Sequence, residues 1–235
     1  MLNLEQIKTL LSWNINTCIS CLAKISVNNV LCTDCSNKLP LITTQCTQCA
    51  IPIQTKVAAI KCAKCIHNPP FFDITIAPYR YQKPITNIIG QLKFKNKLSY
   101  ASTLGKLLLP FILQTYTTGS LPSILIPIPL HKTRIKNRGY NQAYLISKYL
   151  SKKLNTPIQN NLVERIKNTK AQVGLSAIRR HTNLKEAFAC QQKIGYSHIA
   201  IIDDVITTGQ TASQVAKILK KQGASRVDIW TPARA

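Results

Sequence analysis

The chain has 235 residues, of which 31 are Lys or Arg and only 8 are Asp or Glu, giving a formal net charge of +23. With 45% hydrophobic residues it can bury a full core, which excludes a disordered chain. Its most apolar run, LLLPFIL at 107–113, is too short and too proline-broken to span a membrane. The charge points to a polyanionic partner such as nucleic acid, with a solvated Lys-rich surface as the plainer alternative.

In chain order, MLNLEQIKTLLSW places Leu4, Ile7 and Leu11 at helical spacing without a basic leader or a small-residue cleavage site. A surface amphipathic helix of a cytoplasmic protein is expected, with membrane or partner contact left open.

Eight of the nine cysteines then form four CxxC pairs: Cys18 with Cys21, Cys32 with Cys35, Cys46 with Cys49, and Cys62 with Cys65. Gaps of 10, 10 and 12 residues separate successive pairs. Each pair presents two thiolates from one turn, so two four-cysteine zinc sites are expected. Disulfides would need an oxidising compartment that no leader indicates, and a redox motif would use one pair, not four. Sequential and interleaved pairing both satisfy the spacing, and sequential pairing is the preferred reading. A structural role for the zinc ions is expected, because a segment so poor in large apolar residues cannot fold on its own core, with a binding role for the same module left open. Cys190 reads as a small hydrophobe and His67 as exposed.

The cysteines stop at 65, residues 66–72 read as a linker, and the pattern changes to strands alternating with helices. DITIAPYRY reads as a strand, 85–96 and 101–116 as helices with Pro84 opening the first, and SILIPIPL (123–130) as a buried strand that leaves its sheet at Pro127 and Pro129. A loop carrying Lys132, Arg134, Arg138 and Gly139 follows. Ala143, Ile146, Leu150 and Leu154 then share one helical face. HIAIIDDV (198–205) and RVDIWTP (226–232) are further strands, joined by a helix that ends at Gly223. The predicted class is α/β, a parallel sheet flanked by helices over 72–235, with a small cysteine-rich domain over 1–66.

The segment IAIIDDVITTGQTA sets Asp203 and Asp204, a quarter of all the acids, at the end of a strand, where open α/β sheets bind ligands. Two carboxylates can accept vicinal ribose hydroxyls. Thr207, Thr208, Gly209, Gln210 and Thr211 then lead into a helix whose N-terminal amides favour a phosphate. A Walker loop is excluded, because Gly209 is followed by Gln210 and not by Lys. Lys132, Arg134 and Arg138 at the same sheet end are candidates to neutralise a diphosphate, with Gly139 turning the backbone. The polar region around Gln172 and Arg180 reads as a lid. His131 and His181 lie near these loops, and no residue declares itself as a general base.

This segment resembles the phosphoribosyl pyrophosphate (PRPP) motif of type I phosphoribosyltransferases. The wider chain is similar to the ComF family of competence proteins, and to the related GntX-type proteins, through LKFKN at 92–96, PIPLHKTRIKNRGYNQA at 127–143, and Arg165, Thr169, Gln172, Leu175, Arg180, Asn183 and Phe188. The resemblance implies a type I phosphoribosyltransferase fold, a site for PRPP with Mg²⁺, and a part in natural transformation, handling incoming single-stranded DNA beside a helicase partner. An active phosphoribosyltransferase of nucleotide or amidophosphoribosyl metabolism is the rival reading, and turnover is left open. The aromatics Tyr79, Tyr81, Phe94 and Tyr100 among lysines are either base-stacking groups or core, with core preferred.

Overall fold

A computed structural model of the chain describes residues 17–26, 30–54, 60–117, 119–167, 187–190 and 192–235. In the first of two compact units, Met1–Leu39, the described residues include one short helix, α1 (Thr33–Asn37). The second, Pro40–Ala235, begins with α2 (Ala63–His67), which belongs to the second cysteine cluster. It continues through β1 (Thr75–Ile76), β2 (Tyr79–Arg80), α3 (Ile85–Phe94), α4 (Ser99–Thr115), β3 (Ile124–Pro127), α5 (Lys132–Arg138) and α6 (Gln142–Leu154). The remaining elements are β4 (Glu164–Arg165), β5 (Phe188–Ala189), β6 (His198–Ile202), β7 (Val205–Ile206), α7 (Gln210–Lys221), β8 (Arg226–Trp230) and β9 (Ala233–Arg234).

The main sheet has the order β1-β8-β6-β3, and every pair in it is parallel. Its central strands are buried on both faces, which explains their near-continuous apolar sequences. Ile124, Ile126, Ile199, Ile201, Val227 and Ile229 pack in one cluster with Val215 and Leu219 of α7. The alternate residues Leu125, Ala200, Ile202 and Trp230 are equally buried, on the side where α6 packs against β3 and β6. Each such aliphatic side chain contributes about 1.5–3 kcal/mol of burial. In α3 the buried residues Ile85, Ile88, Ile89 and Leu92 recur at the helical period. Helix α4 approaches α6 closely at Gly105, where a Cβ would stand 2.5 Å from Tyr149 Cδ1.

A second parallel sheet has the order β2-β9-β7, which repeats the order of the first with the continuation of each strand. DITIAPYRY and HIAIIDDV, each expected as one strand, are therefore interrupted at 77–78 and 203–204, and RVDIWTP ends its strand at Trp230, to resume after 231–232 as β9. Prolines explain two of the breaks, since Pro78 and Pro232 carry no N–H for the ladder. Asp203 and Asp204 make the third, so the acids sit on the line where one sheet ends and the other begins.

The cationic loop after β3 is a helix, α5, which departs from the sequence expectation. Its seven residues lack apolar periodicity, so its start depends on a local cap: His131 Nδ1 accepts from the amide of Thr133 at 3.2 Å. Gly139 ends it in the left-handed region with φ +81°. The segment between the second cysteine cluster and β1 is packed: Gln48 Nε2 donates to the carbonyl of Phe72 at 2.9 Å, and Phe72 is buried.

Candidate functional site

The break after β6 is held by the backbone. The amide of Asp203 donates to the carbonyl of Trp230 at 3.1 Å, and the amide of Asp204 donates to Asp203 Oδ1 at 2.8 Å. The two carboxylates then meet different surroundings. Asp204 is buried and pairs with Lys93, whose Nζ lies 2.6 Å from Oδ2. Burial, and next the adjacent Asp204 carboxylate, push the Asp203 carboxyl well above the usual carboxylate range, with Lys93 opposing.

These acids form one wall of a cleft of about 790 Å³. Across it stand Arg134 and Arg138 from α5, Arg165 from β4, Gln142 at the start of α6, and Thr211 in the first turn of α7. Burial, and after it the neighbouring Arg134, push the Arg165 guanidinium below its usual value, while Asp203 opposes. With Lys93, four cations face two acids, so an empty cleft carries excess positive charge. That balance suits a ligand with several phosphate charges and neutral hydroxyls. Gln142 is 3% exposed, and its Nε2 has no hydrogen-bond partner among the described residues. A buried amide in that state has a donor available for a ligand.

The predicted site residues divide. Asp203, Asp204, Arg134, Arg138 and Thr211 come together in this cleft. Thr208, Gly209 and Gln210 line a neighbouring cavity of about 210 Å³ that faces Cys49, Cys62 and Cys65. Thr207 is exposed beside them, and Gly209 takes φ +74°, which a side chain disfavours. Lys132 is exposed at the start of α5 and does not line the cleft, nor does Gly139. Gln172 and Arg180, with Thr169, Leu175, His181 and Asn183, lie outside the described residues, as does the N-terminal helix expected around Leu4, Ile7 and Leu11. Lys93, Arg165 and Gln142 received no role in the sequence reading, although the landmarks LKFKN, Arg165 and NRGYNQA had marked all three. The preference for a core Phe94 is corrected: it is 71% exposed at the cleft, because it falls off the buried face of α3. Tyr79 is core, at 5%.

The cysteines form two groups with sequential pairing, Cys18, Cys21, Cys32, Cys35 and Cys46, Cys49, Cys62, Cys65, with the four sulfurs of each within 4.8 Å of one another. The Cys21 and Cys32 sulfurs are 3.6 Å apart, and those of Cys49 and Cys62 are 3.7 Å apart. A tetrahedral ion with Zn–S near 2.3 Å sets sulfurs about 3.8 Å apart, so both groups could hold zinc. Their electrostatics agree. Burial pushes the Cys18 thiol up, but backbone hydrogen bonds at Cys21, Cys32 and Ser20 outweigh it and bring it down to about 6. Cys46 falls likewise to about 7, burial being overcome by backbone hydrogen bonds at Cys49, Cys62 and Gln48. Burial, then hydrogen bonds to Cys49 and Cys62, push Cys65 up. Four thiolates so close need a cation to coexist. Cys190 is half-buried against the core cluster, as a small hydrophobe would be, and its thiol donates to the carbonyl of Gln192 at 3.5 Å.

No helix among the described residues is long and apolar enough to cross a membrane. No family model matches the chain. A purine phosphoribosyltransferase from Pyrococcus horikoshii aligns structurally at 19% identity over 55% of this chain and 70% of that one, with a TM-score of 0.31, below the level that marks a shared fold. Curated relatives are nearer in sequence. Competence protein F of Haemophilus influenzae is 38% identical over 179 residues, 74% of this chain and 78% of that protein. DNA utilization protein YhgH of Escherichia coli K12 is 36% identical over 177 residues, again 74% and 78%. Competence protein ComFC of Bacillus subtilis is 33% identical over a shorter 114 residues, 48% and 45%. At that identity and coverage the chain belongs to the competence protein F family.

Proposed function

We propose that the chain handles incoming single-stranded DNA during natural transformation and that its cleft binds PRPP or a related ribose 5-phosphate. The observation that carries this reading is the Asp203–Asp204 pair at the break between two sheets, facing four cations. Relatives named for competence and for DNA utilization supply the biological setting, and a net charge of +23 suits a polyanion.

In this reading Asp203 and Asp204 accept the ribose hydroxyls. Arg134 and Arg138, with Lys132 at the rim, take the diphosphate, and the Thr207–Thr211 loop takes the 5-phosphate at the start of α7. Lys93 keeps Asp204 in place beside the ribose through the 2.6 Å ion pair. Gln172 and Arg180 belong to a lid. Mg²⁺ bound with PRPP would supply charge that neutralises the diphosphate. Zinc at the two cysteine groups has a structural role. The chain works in the cytoplasm, peripheral to the inner membrane, beside a helicase that receives the same strand.

The test is a strain whose chromosomal copy carries Asp203→Asn and Asp204→Asn. Transformation frequency is expected to fall at least tenfold with protein level unchanged. Normal transformation would contradict the reading. PRPP consumption by the purified parent protein, measured alongside, would favour the transferase alternative.

A further inference from the structure

We propose that single-stranded DNA lies across the surface made by residues 93–100, at the end of α3 and the turn after it, together with α5, and that Phe94 is its base-stacking platform at the mouth of the cleft. The proposal rests on the DNA-handling reading above and adds to it the place where the strand binds.

This surface keeps apolar groups in water that the core does not use. Phe94 is 71% exposed, Leu98 48% and Ile135 41%. The buried stripe of α3 is complete without Phe94. Cations surround these groups: Lys95, Lys97, Lys132 and Lys136 are exposed, and the Arg138 guanidinium lies 5.8 Å from the Phe94 ring. Neither 93–100 nor 131–141 contains an Asp or a Glu. The two segments are fixed to each other, since the Tyr140 hydroxyl donates to the Leu92 carbonyl and lies 3.4 Å from Asn96 Oδ1.

Sequence-tolerant binding of single strands combines a cationic track for the backbone with aromatic faces for unstacked bases. Duplex DNA would use the cations but not the ring, because its bases are already stacked. An anionic membrane would use the cations and aliphatic groups alike. The ring held beside a guanidinium matches a base next to its phosphate.

The experiment uses the full-length, zinc-loaded protein and a fluorescein-labelled oligothymidylate. Phe94→Ala is expected to weaken binding about tenfold while leaving the salt slope unchanged. Lys95→Ala with Lys97→Ala is expected to flatten the slope of log K against log salt by about 0.7 per lysine. A charge-matched control far along α6, Lys152→Ala with Lys153→Ala, should change affinity less than twofold. All these side chains are exposed, so unaltered melting curves confirm folding, and a Phe94→Trp variant should show fluorescence quenching by the oligonucleotide.

If the parent protein binds no oligonucleotide, the DNA-handling reading itself fails. If it binds but the control weakens it as much as the surface variants do, or Phe94→Trp is not quenched, this surface is wrong while the reading stands. Loss of binding to phosphatidylglycerol vesicles in Phe94→Ala with oligonucleotide binding intact would reassign the surface to membrane and overturn the proposal.

Discussion

Arg234 donates from Nε to the carbonyl of Cys49 at 3.1 Å and from Nη1 to the carbonyl of Thr207, so one buried guanidinium ties the second cysteine cluster to the start of the Thr/Gly loop. The same Nη1 reaches the carbonyl of Ile206 at 3.4 Å. The loop thereby takes its position from a cysteine cluster that is far from it in sequence.

Replacing Arg234 with Met should release the loop while leaving all four sulfurs of the second cysteine group in place. Amide hydrogen exchange over 205–212 is expected to quicken, and the loss of charge-assisted hydrogen bonds should cost about 2–3 kcal/mol of stability. Chelation that empties the second cysteine group is expected to give the same exchange pattern. Unaltered exchange in Arg234→Met would show that the tie is incidental.

Two zinc ions per chain are expected by elemental analysis of protein purified without chelator. The spacing of sulfurs in both cysteine groups supports equal occupancy. A value below one would contradict the two-site account, and a value near one would mean that only one group holds the ion.

The two acids of the motif are expected to respond to substitution in opposite directions. The carboxyl of Asp203 ionises less readily in the folded chain than in the unfolded one. The folded state therefore binds the extra proton, and this group's contribution to stability falls as pH rises from the ordinary carboxylate range near 4 through the raised folded value. Asp203→Asn should accordingly raise the melting temperature at neutral pH, with a gain that vanishes toward pH ~4. Asp204→Asn instead leaves Lys93 without its 2.6 Å partner and should cost about 1–3 kcal/mol near neutrality. Equal effects of the two at pH 7 would contradict the assignment.

A third acid serves the fold. Asp228 is fully buried and is met by the Tyr116 hydroxyl at 2.6 Å, His198 Nε2 at 2.7 Å and Arg226 Nη2 at 3.0 Å. Trp230 Nε1 donates to the same Tyr116 oxygen at 3.0 Å. Burial, then the Asp228 charge, push the Tyr116 phenol up, so it remains a donor. Asp228→Ala should cost about 3–5 kcal/mol by denaturant unfolding, since it strands Arg226 and Tyr116. If it folds, its ligand binding should be near normal, because none of the network's side chains lines the cleft.

The α/β alternation, the four CxxC pairs and the place of Asp203 and Asp204 were legible in the sequence because each is local: apolar runs, CxxC spacing, acids at a strand end. Which pairs share a site was only a preference, since the spacing allows both pairings, and the structure supplies the sequential one. The strand breaks were not, because the second sheet exists only once three distant segments pair. Pro78 and Pro232 were the available signals. Lys93 was hidden for the same reason: its partner Asp204 is over a hundred residues away, and one lysine at the end of a helix in a lysine-rich chain carries no mark of pairing. Phe94 looked like core because its helix is amphipathic, and only the phase of the buried residues shows that it faces out. Helix α5 escaped because its cap, not its periodicity, defines it.

The central claim is that the cleft beside Asp203 and Asp204 is a ribose-phosphate site. Calorimetric titration of the zinc-loaded protein with PRPP in the presence of Mg²⁺ tests it most directly, comparing the parent with Asp203→Asn and Asp204→Asn. The parent should bind with one site per chain. Each substitution removes a charged acceptor of a ribose hydroxyl, worth about 1.5–3 kcal/mol, so affinity should fall roughly tenfold or more at each step. No heat from the parent, or equal affinity in the double variant, would contradict the account.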